Sequence, residues 1–274
     1  MIASQLKLSL HFLTAEPEAA ASQLELMPTE HVLSLLKEAP SSTAANILKL
    51  MQPSIAAKLL LLFPAEKSYK IFEQMNLADV AAILRYMPTE EGKAHLAALP
   101  IRKQALCKML ISYPEHALGA VVDTDVLIAG SSMTVDDVLI RIKKKTVAYL
   151  QDVFVVNKQR NLEGKIFLGD LLHASPKALI ASLIHKRPRT LSATHDLTTA
   201  SELNIWQQQD VAPVINRRNE FIGIVHYHKL RRSITRLERA NASPNTLSGE
   251  LIEVYGDTIM SMIELVSTNN QSKH

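Results

Sequence analysis

Five basic side chains within seven residues near the end of the chain's second half form a candidate anion site. They are His226, His228, Lys229, Arg231 and Arg232. A helix that begins near Lys229 would place Lys229 and Arg232 on one face, with His226 at the end of the preceding strand and Arg231 pointing elsewhere. A multivalent anion would accept charge-assisted hydrogen bonds there, and its binding would tighten below about pH 6.5 as the histidines protonate. The alternative is a solvated basic helix that keeps the protein soluble.

Four aspartates suggest the opposite ligand, because Mg²⁺ prefers carboxylate oxygens and water. They are Asp123, Asp125, Asp136 and Asp137. The same side chains could instead cap the strands and the helix that follow. The charge distribution disfavours a cation, since residues 140–239 carry 18 lysines and arginines against 8 acids, a net charge of +10. A surface of this sign repels Mg²⁺ and attracts anions.

Three interpretations fit the basic second half. The first alternative is a solvated face with no partner, the second is an acidic protein or a phosphorylated small ligand, and the third is nucleic acid. No nucleic-acid-binding motif occurs, and the aromatic residues of this half that could stack on bases are few, so nucleic acid ranks last.

Composition and motifs argue against an enzyme and against a membrane span. The chain has 274 residues, 47% of them hydrophobic, which suggests about two globular domains. Neither a glycine-rich phosphate loop nor a pair of nucleophile and base can be identified, and the single cysteine, Cys107, forms neither a disulfide nor a cysteine-rich zinc site. The longest apolar run, Leu59 to Phe63, is far shorter than the roughly 18–20 residues of a membrane helix. With no secretory signal evident, we expect a reducing cytoplasm.

Regularly spaced prolines divide the first half into short helices. They are Pro28, Pro40, Pro53, Pro64, Pro88, Pro100 and Pro114, and Leu77 occupies the place of the missing one. Proline ends one helix and suits the start of the next, so each repeat of about 12 residues is predicted to be a helix and a turn. Such helices bury their apolar faces only by stacking, which predicts a superhelix.

The second half contains two copies of one unit. Val155-Val156-Asn157 recurs as Val214-Ile215-Asn216, with an offset of 59 residues, and upstream Thr134-Val135-Asp136 matches Asp196-Leu197-Thr198 with an offset of 62. Each copy is predicted to run strand, helix, strand, polar turn, strand, helix. Two copies of this size pack around a pseudo-twofold axis and leave clefts between them.

These residues carry a resemblance to a known family. The second half resembles a tandem CBS pair, and the first half is similar to the intracellular N domain of MgtE-type magnesium channels. The junction carries the most specific similarity, because Ser112-Tyr113-Pro114-Glu115-His116-Ala117-Leu118-Gly119 resembles that family's S-Y-P-E-D-T-A-G.

The resemblance implies an α + α/β fold, with an all-α superhelical N-terminal domain followed by a tandem CBS (βαββα) pair. The expected segments are an extension (1–23), the helical superhelix (24–118), CBS copy 1 (119–178), CBS copy 2 (179–238) and a linker with a C-terminal amphipathic helix (239–274). It implies a cytosolic regulatory or sensor module. The resemblance is to the family's cytosolic sensor without its pore, and between a truncated chain and a natural terminus the polar tail favours the natural terminus.

The resemblance also suggests two ligands for the clefts. An adenine nucleotide would lie near Gly164 and Asp170 in copy 1, where Phe167 replaces the usual hydroxyl residue and Asp170 could instead be a helix N-cap. In copy 2 the corresponding residues are Gly223, His226 and Lys229, which makes an anion the better candidate. The acids that bind magnesium in the family are replaced here by His228, Lys229 and Arg232, so weak or absent Mg²⁺ sensing is expected.

The same resemblance predicts partners. A homodimer would form through helix faces of the CBS pair such as Val138, Leu139 and Ile142, and a protein partner could dock on the helical domain. The competing interpretation is a scaffold that binds no small ligand.

Overall fold

The computed structural model describes residues 10–144, 151–184 and 188–241, and the chain divides into two compact units. Of the described residues, one unit comprises 10–101 together with 238–241, and the other comprises those within Arg102–Leu237. The predicted amphipathic stretch 247–266 lies outside the described residues. Within the described ranges, no helix is both long enough and apolar enough to cross a membrane.

Short helices make up the first unit, as the proline spacing predicts. Residues 10–15 are helical, and the helices that follow are α1 (Pro17–Glu25), α2 (Thr29–Glu38), α3 (Ser41–Leu48), α4 (Pro53–Leu61), α5 (Ala65–Glu73), α6 (Leu77–Leu84) and α7 (Thr89–Ala98). Helix α8 (Ile101–Ser112) begins at the last residue of this part of the unit and continues into the second unit. Pro28, Pro40, Pro64 and Pro88 each stand directly before a helix, and each carbonyl accepts a hydrogen bond from the backbone N–H four residues later. Proline therefore fixes the entry to the helix without removing one of its hydrogen bonds.

Helices two apart in sequence pack against each other in this unit. Helix α3 contacts α1 and α5, and α4 contacts α6. The faces between them bury apolar side chains almost completely, among them Leu36, Ile47, Leu48, Leu60 and Ile71. This alternation forms the two layers of a superhelix, which confirms the all-α prediction for the first half.

The second unit contains two copies of one small sheet-and-helix motif. Copy 1 comprises β1 (Ile128–Gly130), α9 (Val135–Lys144), β2 (Asp152–Val156), β3 (Leu162–Phe167) and α10 (Leu168–His173). Copy 2 comprises β4 (Leu191–Ser192), α11 (Leu197–Ser201), β5 (Val211–Ile215), β6 (Phe221–His226) and α12 (Tyr227–Asn241). In each copy a parallel strand pair is followed by an antiparallel hairpin, which is the predicted βαββα order.

Each copy is completed by the segment that precedes the other copy. The N–H groups of Leu118 and Gly119, which lie before copy 1, donate to the carbonyls of His195 and Ala193 in copy 2, both at 2.8 Å. The equivalent segment before copy 2 repeats this pattern in copy 1, where the N–H of Ile180 donates to the carbonyl of Met133 at 2.9 Å. The two copies therefore fold as one unit.

The prediction of a dimer face on α9 is wrong for Val138, which is buried, and Leu139 and Ile142 of the same face are only partly exposed. Val138 is 1% exposed, and Leu139 and Ile142 pack against the core of copy 1. The reason is that the apolar stripe of α9 covers the sheet of its own copy and leaves little for a partner. Large apolar side chains that do remain exposed in copy 1 are Ile140, Phe167 and Leu172, and Leu179 is exposed in the segment before copy 2.

Candidate functional site

The basic cluster lies where β6 passes directly into α12. β6 ends at His226 and α12 begins at Tyr227, two residues earlier than predicted, so His228 and Lys229 lie in the first helical turn. Leu230 is fully buried and fixes the rotation of the helix. Lys229 and Arg232 are then one turn apart on the same side, as the sequence predicts, while Arg231 is exposed at a different angle.

An ion pair joins the predicted anion site to one of the predicted metal ligands. The ammonium Nζ of Lys229 lies 2.9 Å from Oδ2 of Asp123, with side-chain exposures of 33% and 7%. The other carboxylate oxygen of Asp123, Oδ1, accepts a hydrogen bond from the N–H of Asp125 at 3.0 Å. Asp123 and Asp125 are thus brought to the same site as Lys229, and the Asp123 carboxylate already has a cationic partner.

Backbone pairing and a glycine position Asp123. Its N–H donates to the carbonyl of Ile224 at 2.8 Å, and the N–H of Ile224 donates back to its carbonyl at 3.0 Å. Gly223, next in line, has φ +151°, and a Cβ there would lie 2.3 Å from the Asp123 carbonyl oxygen. Gly223, predicted as part of a ligand cleft, therefore has a structural role, because it permits the close approach of the segment that carries Asp123.

Both histidines of the cluster are harder to protonate than a free imidazole. Partial burial lowers the pKa of His226 and Lys229 lowers it further, Asp123 opposes them, and His228 adds a smaller lowering. Burial, Lys229 and Arg232 lower the pKa of His228 in the same way, and Asp210 opposes them. The expectation that anion binding tightens below about pH 6.5 is therefore moved to lower pH, because these cations disfavour a further positive charge.

In copy 1 the corresponding position holds an acid. Asp170 stands 59 residues before Lys229 and is the third residue of α10. The N-cap alternative for Asp170 is wrong, since the helix begins at Leu168 and the residue before it is Phe167. Phe167 is 45% exposed, and the Lys165 ammonium lies 4.7 Å from its ring centroid. Gly164, the other candidate of this copy, lies within the sheet opposite Val155.

Asp136 and Asp137 lie at the start of α9, where Asp137 caps the helix. Its Oδ2 accepts from the N–H and the hydroxyl of Thr134 at 3.0 and 2.7 Å, and the Thr134 hydroxyl accepts from the Asp137 N–H at 3.2 Å. These hydrogen bonds lower the pKa of Asp137. The backbone N–H of Asp136 donates to the carbonyl of Pro176 at 3.0 Å. The capping alternative is confirmed for Asp137.

No three His, Cys, Asp or Glu side chains are arranged to hold a metal ion in the parts of the chain that the structure describes. The Mg²⁺ site that the sequence suggests at Asp123, Asp125, Asp136 and Asp137 gains no support from this arrangement and stays a prediction.

The comparisons with known proteins support the predictions made for both halves of the chain. Residues 15–116 match the family model of the MgtE intracellular N domain. The crystal structure of the cytosolic domain of the Mg²⁺ channel MgtE in complex with ATP has a TM-score of 0.70 and 22% sequence identity, and the match covers 81% of this chain and 92% of that one. These matches confirm the predicted fold and the resemblance to the MgtE cytosolic region.

Two curated relatives are magnesium transporters named MgtE. The protein of Bacillus subtilis is 21% identical over 164 residues, which are 58% of this chain and 36% of the relative. The protein of Thermus thermophilus is 25% identical over 129 residues, 45% of this chain and 28% of the relative. The chain therefore spans about a third of the length of the curated relatives it matches.

Proposed function

We propose that the chain is a non-enzymatic regulatory module of the cytoplasm, in which the start of α12 binds a multivalent anion. The observation that carries this proposal is the partly exposed Lys229, held by the buried Asp123 and accompanied by Arg232 one turn further on. A phosphate-bearing ligand would bring more negative charge to Lys229 than one carboxylate does, and it would accept hydrogen bonds from Arg232 as well.

Binding at this position would act on the segment that leads into copy 1. Asp123 belongs to that segment, and Lys229 is its ionic contact with α12. An anion that draws Lys229 away from Asp123 would leave a buried carboxylate without its cation, which favours a different placement of the segment. Ligand binding at copy 2 would thus change the position of the segment that precedes copy 1.

Thermal unfolding with sulfate, pyrophosphate and ATP tests the proposal. We expect pyrophosphate and ATP to raise the Tm of the parent more than sulfate does, and the shift to disappear in Lys229→Ala/Arg232→Ala. Arg231→Ala is the control, because it removes a positive charge from another face of α12 and should keep the shift. Equal ligand-induced shifts in the parent and the double variant would refute the site. A sub-millimolar Mg²⁺ site lost on changing His228 or Lys229 would instead favour cation sensing.

A second candidate ligand is an adenine nucleotide in copy 1. The carboxylate of Asp170, placed where copy 2 has Lys229, is suited to accept hydrogen bonds from ribose hydroxyls. We expect AMP to bind more tightly than its 2′,3′-dideoxy analogue in the parent and equally in Asp170→Asn, by titration calorimetry. Equal affinities in the parent would remove this candidate.

We further propose that the chain forms a homodimer through copy 1. The apolar side chains Ile140, Phe167 and Leu172 support this, because no comparably exposed large apolar side chain occurs among the described residues from β4 to α12 of copy 2. The helical unit would be free to dock another protein, and a module without any ligand would act through that docking alone.

A further inference from the structure

A cavity of about 430 Å³ lies at the turn end of copy 2, away from the start of α12. Its walls are the segment 112–117, the turn 216–220 between β5 and β6, and Thr194. The six residues of β6 separate this turn from Lys229, a distance of roughly 20 Å along the strand. The cavity is therefore a different site from the one proposed above, and the inference drawn from it does not rest on that proposal.

The turn presents two arginines to the cavity on a fixed backbone. Oδ1 of Asn216 accepts hydrogen bonds from the N–H groups of Arg218 and Glu220 at 2.9 and 3.0 Å, and Asn219 adopts the left-handed conformation with φ 61°. The Asn216 amide also donates to the Glu220 carboxylate at 2.6 Å. Arg217 and Arg218 are both exposed, and the salt bridges found among the described residues involve neither guanidinium. Two arginines face a single carboxylate here, so the cavity favours an anion.

An aromatic wall faces the arginines. The Tyr113 ring lies so close to Gly119 that a Cβ on that residue would be 2.5 Å from the ring. Gly119 thus leaves the space that the ring occupies. Pro114 continues this wall, and His116 and Thr194 add polar groups at its edge. The cavity therefore combines an apolar surface for a ring with two cations for an acid.

The internal repeat provides a control, because the matching site of copy 1 keeps the proline, as Pro176, but lacks the aromatic ring and the glycine. The hydrogen bond from Leu197 N–H to the His116 carbonyl corresponds, with an offset of 62, to that from Val135 N–H to the Ala178 carbonyl. With this offset Tyr113 corresponds to Ser175 and Gly119 to Ala181.

The turn of copy 1 differs in the same way. With the hairpin offset of 59, Lys158 and Gln159 stand in place of Arg217 and Arg218, and Asn161 stands in place of Glu220. The fold of a copy therefore does not require the aromatic ring, the paired arginines or the glycine that makes room for the ring. Their joint presence at the turn of copy 2 indicates a role other than folding.

We propose that this cavity binds a small aromatic phosphomonoester, with its phosphate on Arg217 and Arg218 and its ring against Tyr113 and Pro114. Guanidinium groups hold phosphate oxygens through paired, charge-assisted hydrogen bonds. An aromatic ring stacks on tyrosine with a gain beyond its burial. The volume lies within the range of about 300–1,000 Å³ that is typical of small-molecule sites.

Titration calorimetry of the full chain with three probes, phenyl phosphate, inorganic phosphate and phenol, tests the proposal. We expect phenyl phosphate to bind at least tenfold more tightly than either fragment. Arg217→Gln/Arg218→Gln should weaken phenyl phosphate binding at least tenfold, and these exposed turn positions tolerate glutamine. Tyr113→Ser, the residue of copy 1, should weaken phenyl phosphate and leave inorganic phosphate unchanged.

Two controls keep this site separate from the start of α12. Lys158→Gln, at the matching turn of copy 1, and Lys229→Ala/Arg232→Ala should both leave phenyl phosphate binding unchanged. In the parent, the ring resonances of Tyr113 should shift on titration with phenyl phosphate. Absence of binding at millimolar phenyl phosphate, an unchanged affinity in the double arginine variant, or loss of binding in Lys229→Ala/Arg232→Ala would each overturn the proposal.

Discussion

Gly223 shows how a single residue sets the distance between Asp123 and Lys229. Its φ of +151° and the absent Cβ allow the Asp123 segment to pair with β6. We expect Gly223→Ala to lower the free energy of unfolding by about 2 kcal/mol or more, because the new methyl group meets backbone and the conformation is strained for alanine. Urea unfolding followed by circular dichroism measures the change.

Gly169→Ala is the matched control for that substitution. Gly169 is the second residue of α10, and no atom lies within 4 Å of the position of its missing Cβ. Alanine should be neutral or slightly stabilising there. An equal loss of stability in the two variants would show that the backbone conformation and close contacts of Gly223 do not require glycine.

The two histidines beside Lys229 make stability depend on pH. Their pKa values are lowered from 6.5 in the folded chain, so below that pH the unfolded chain binds more protons than the folded one. The free energy of unfolding therefore falls as the pH drops from 6.5 toward the lowered values. We expect the Tm of His226→Gln/His228→Gln to fall less than that of the parent between pH 7.5 and 5.5. The control is His173→Gln, at an exposed histidine, whose Tm should fall as much as that of the parent. A parallel loss in all three proteins would contradict this.

Individual site residues could be predicted from the sequence, but their pairing could not. Asp123 and Lys229 both stand out by charge, yet they suggest opposite ligands when each is read in its local context. They meet across 106 positions because the segment before copy 1 completes the sheet of copy 2. The pairing of one copy's leading segment with the sheet of the other copy leaves no local sequence pattern, because it depends on how the two copies pack. For the same reason the sequence contains no sign of the cavity at Arg217 and Arg218.

At the scale of elements, spacing was the most informative signal. Proline spacing correctly predicts the starts of α2, α3, α4, α5, α7 and α8, because one residue type enforces each boundary. For α6, Asn76 has the equivalent role, since its side chain accepts from the N–H of Asp79 at 2.9 Å. Boundaries without such a residue were less predictable. Helix α10 begins two residues before Asp170, and α11 ends at Ser201, after which a separate 3-10 turn spans Asn204–Gln207.

The start of helix α9 allows the contribution of a helix cap to be tested. Thr134 stands directly before the helix and exchanges hydrogen bonds with Asp137. We expect Thr134→Ala to lower the free energy of unfolding by about 1 kcal/mol, whereas Thr134→Ser, which keeps the hydroxyl, should cost little. Chemical denaturation of the three proteins measures this. If the alanine and serine variants are equally stable, the hydroxyl of Thr134 does not stabilise the helix. The capping interpretation of Asp137 would then lose its energetic support.

For the molecule as a whole, apolar exposure differs between the two copies. Exposed large apolar side chains of copy 1 include Phe167 at 45% and Leu172 at 64%, whereas the helix face first predicted for the dimer packs inside the copy. A homodimer through copy 1 would remove these side chains from water, which stabilises association in proportion to the apolar area buried. We expect light scattering at micromolar concentration to give about twice the chain mass of 30.4 kDa.

Substitution of the exposed residues locates the interface. Phe167→Ser/Leu172→Ser should shift the protein to the monomer mass at the same concentration. Leu26→Ser in the helical unit, at a residue 69% exposed, is the matched control and should leave the dimer intact. The far-ultraviolet circular dichroism of both variants should equal that of the parent, because neither change reaches a core. A monomeric parent would refute the homodimer. A dimer that survives the double substitution would place self-association outside Phe167 and Leu172, and its dissociation with Leu26→Ser would place it in the helical unit.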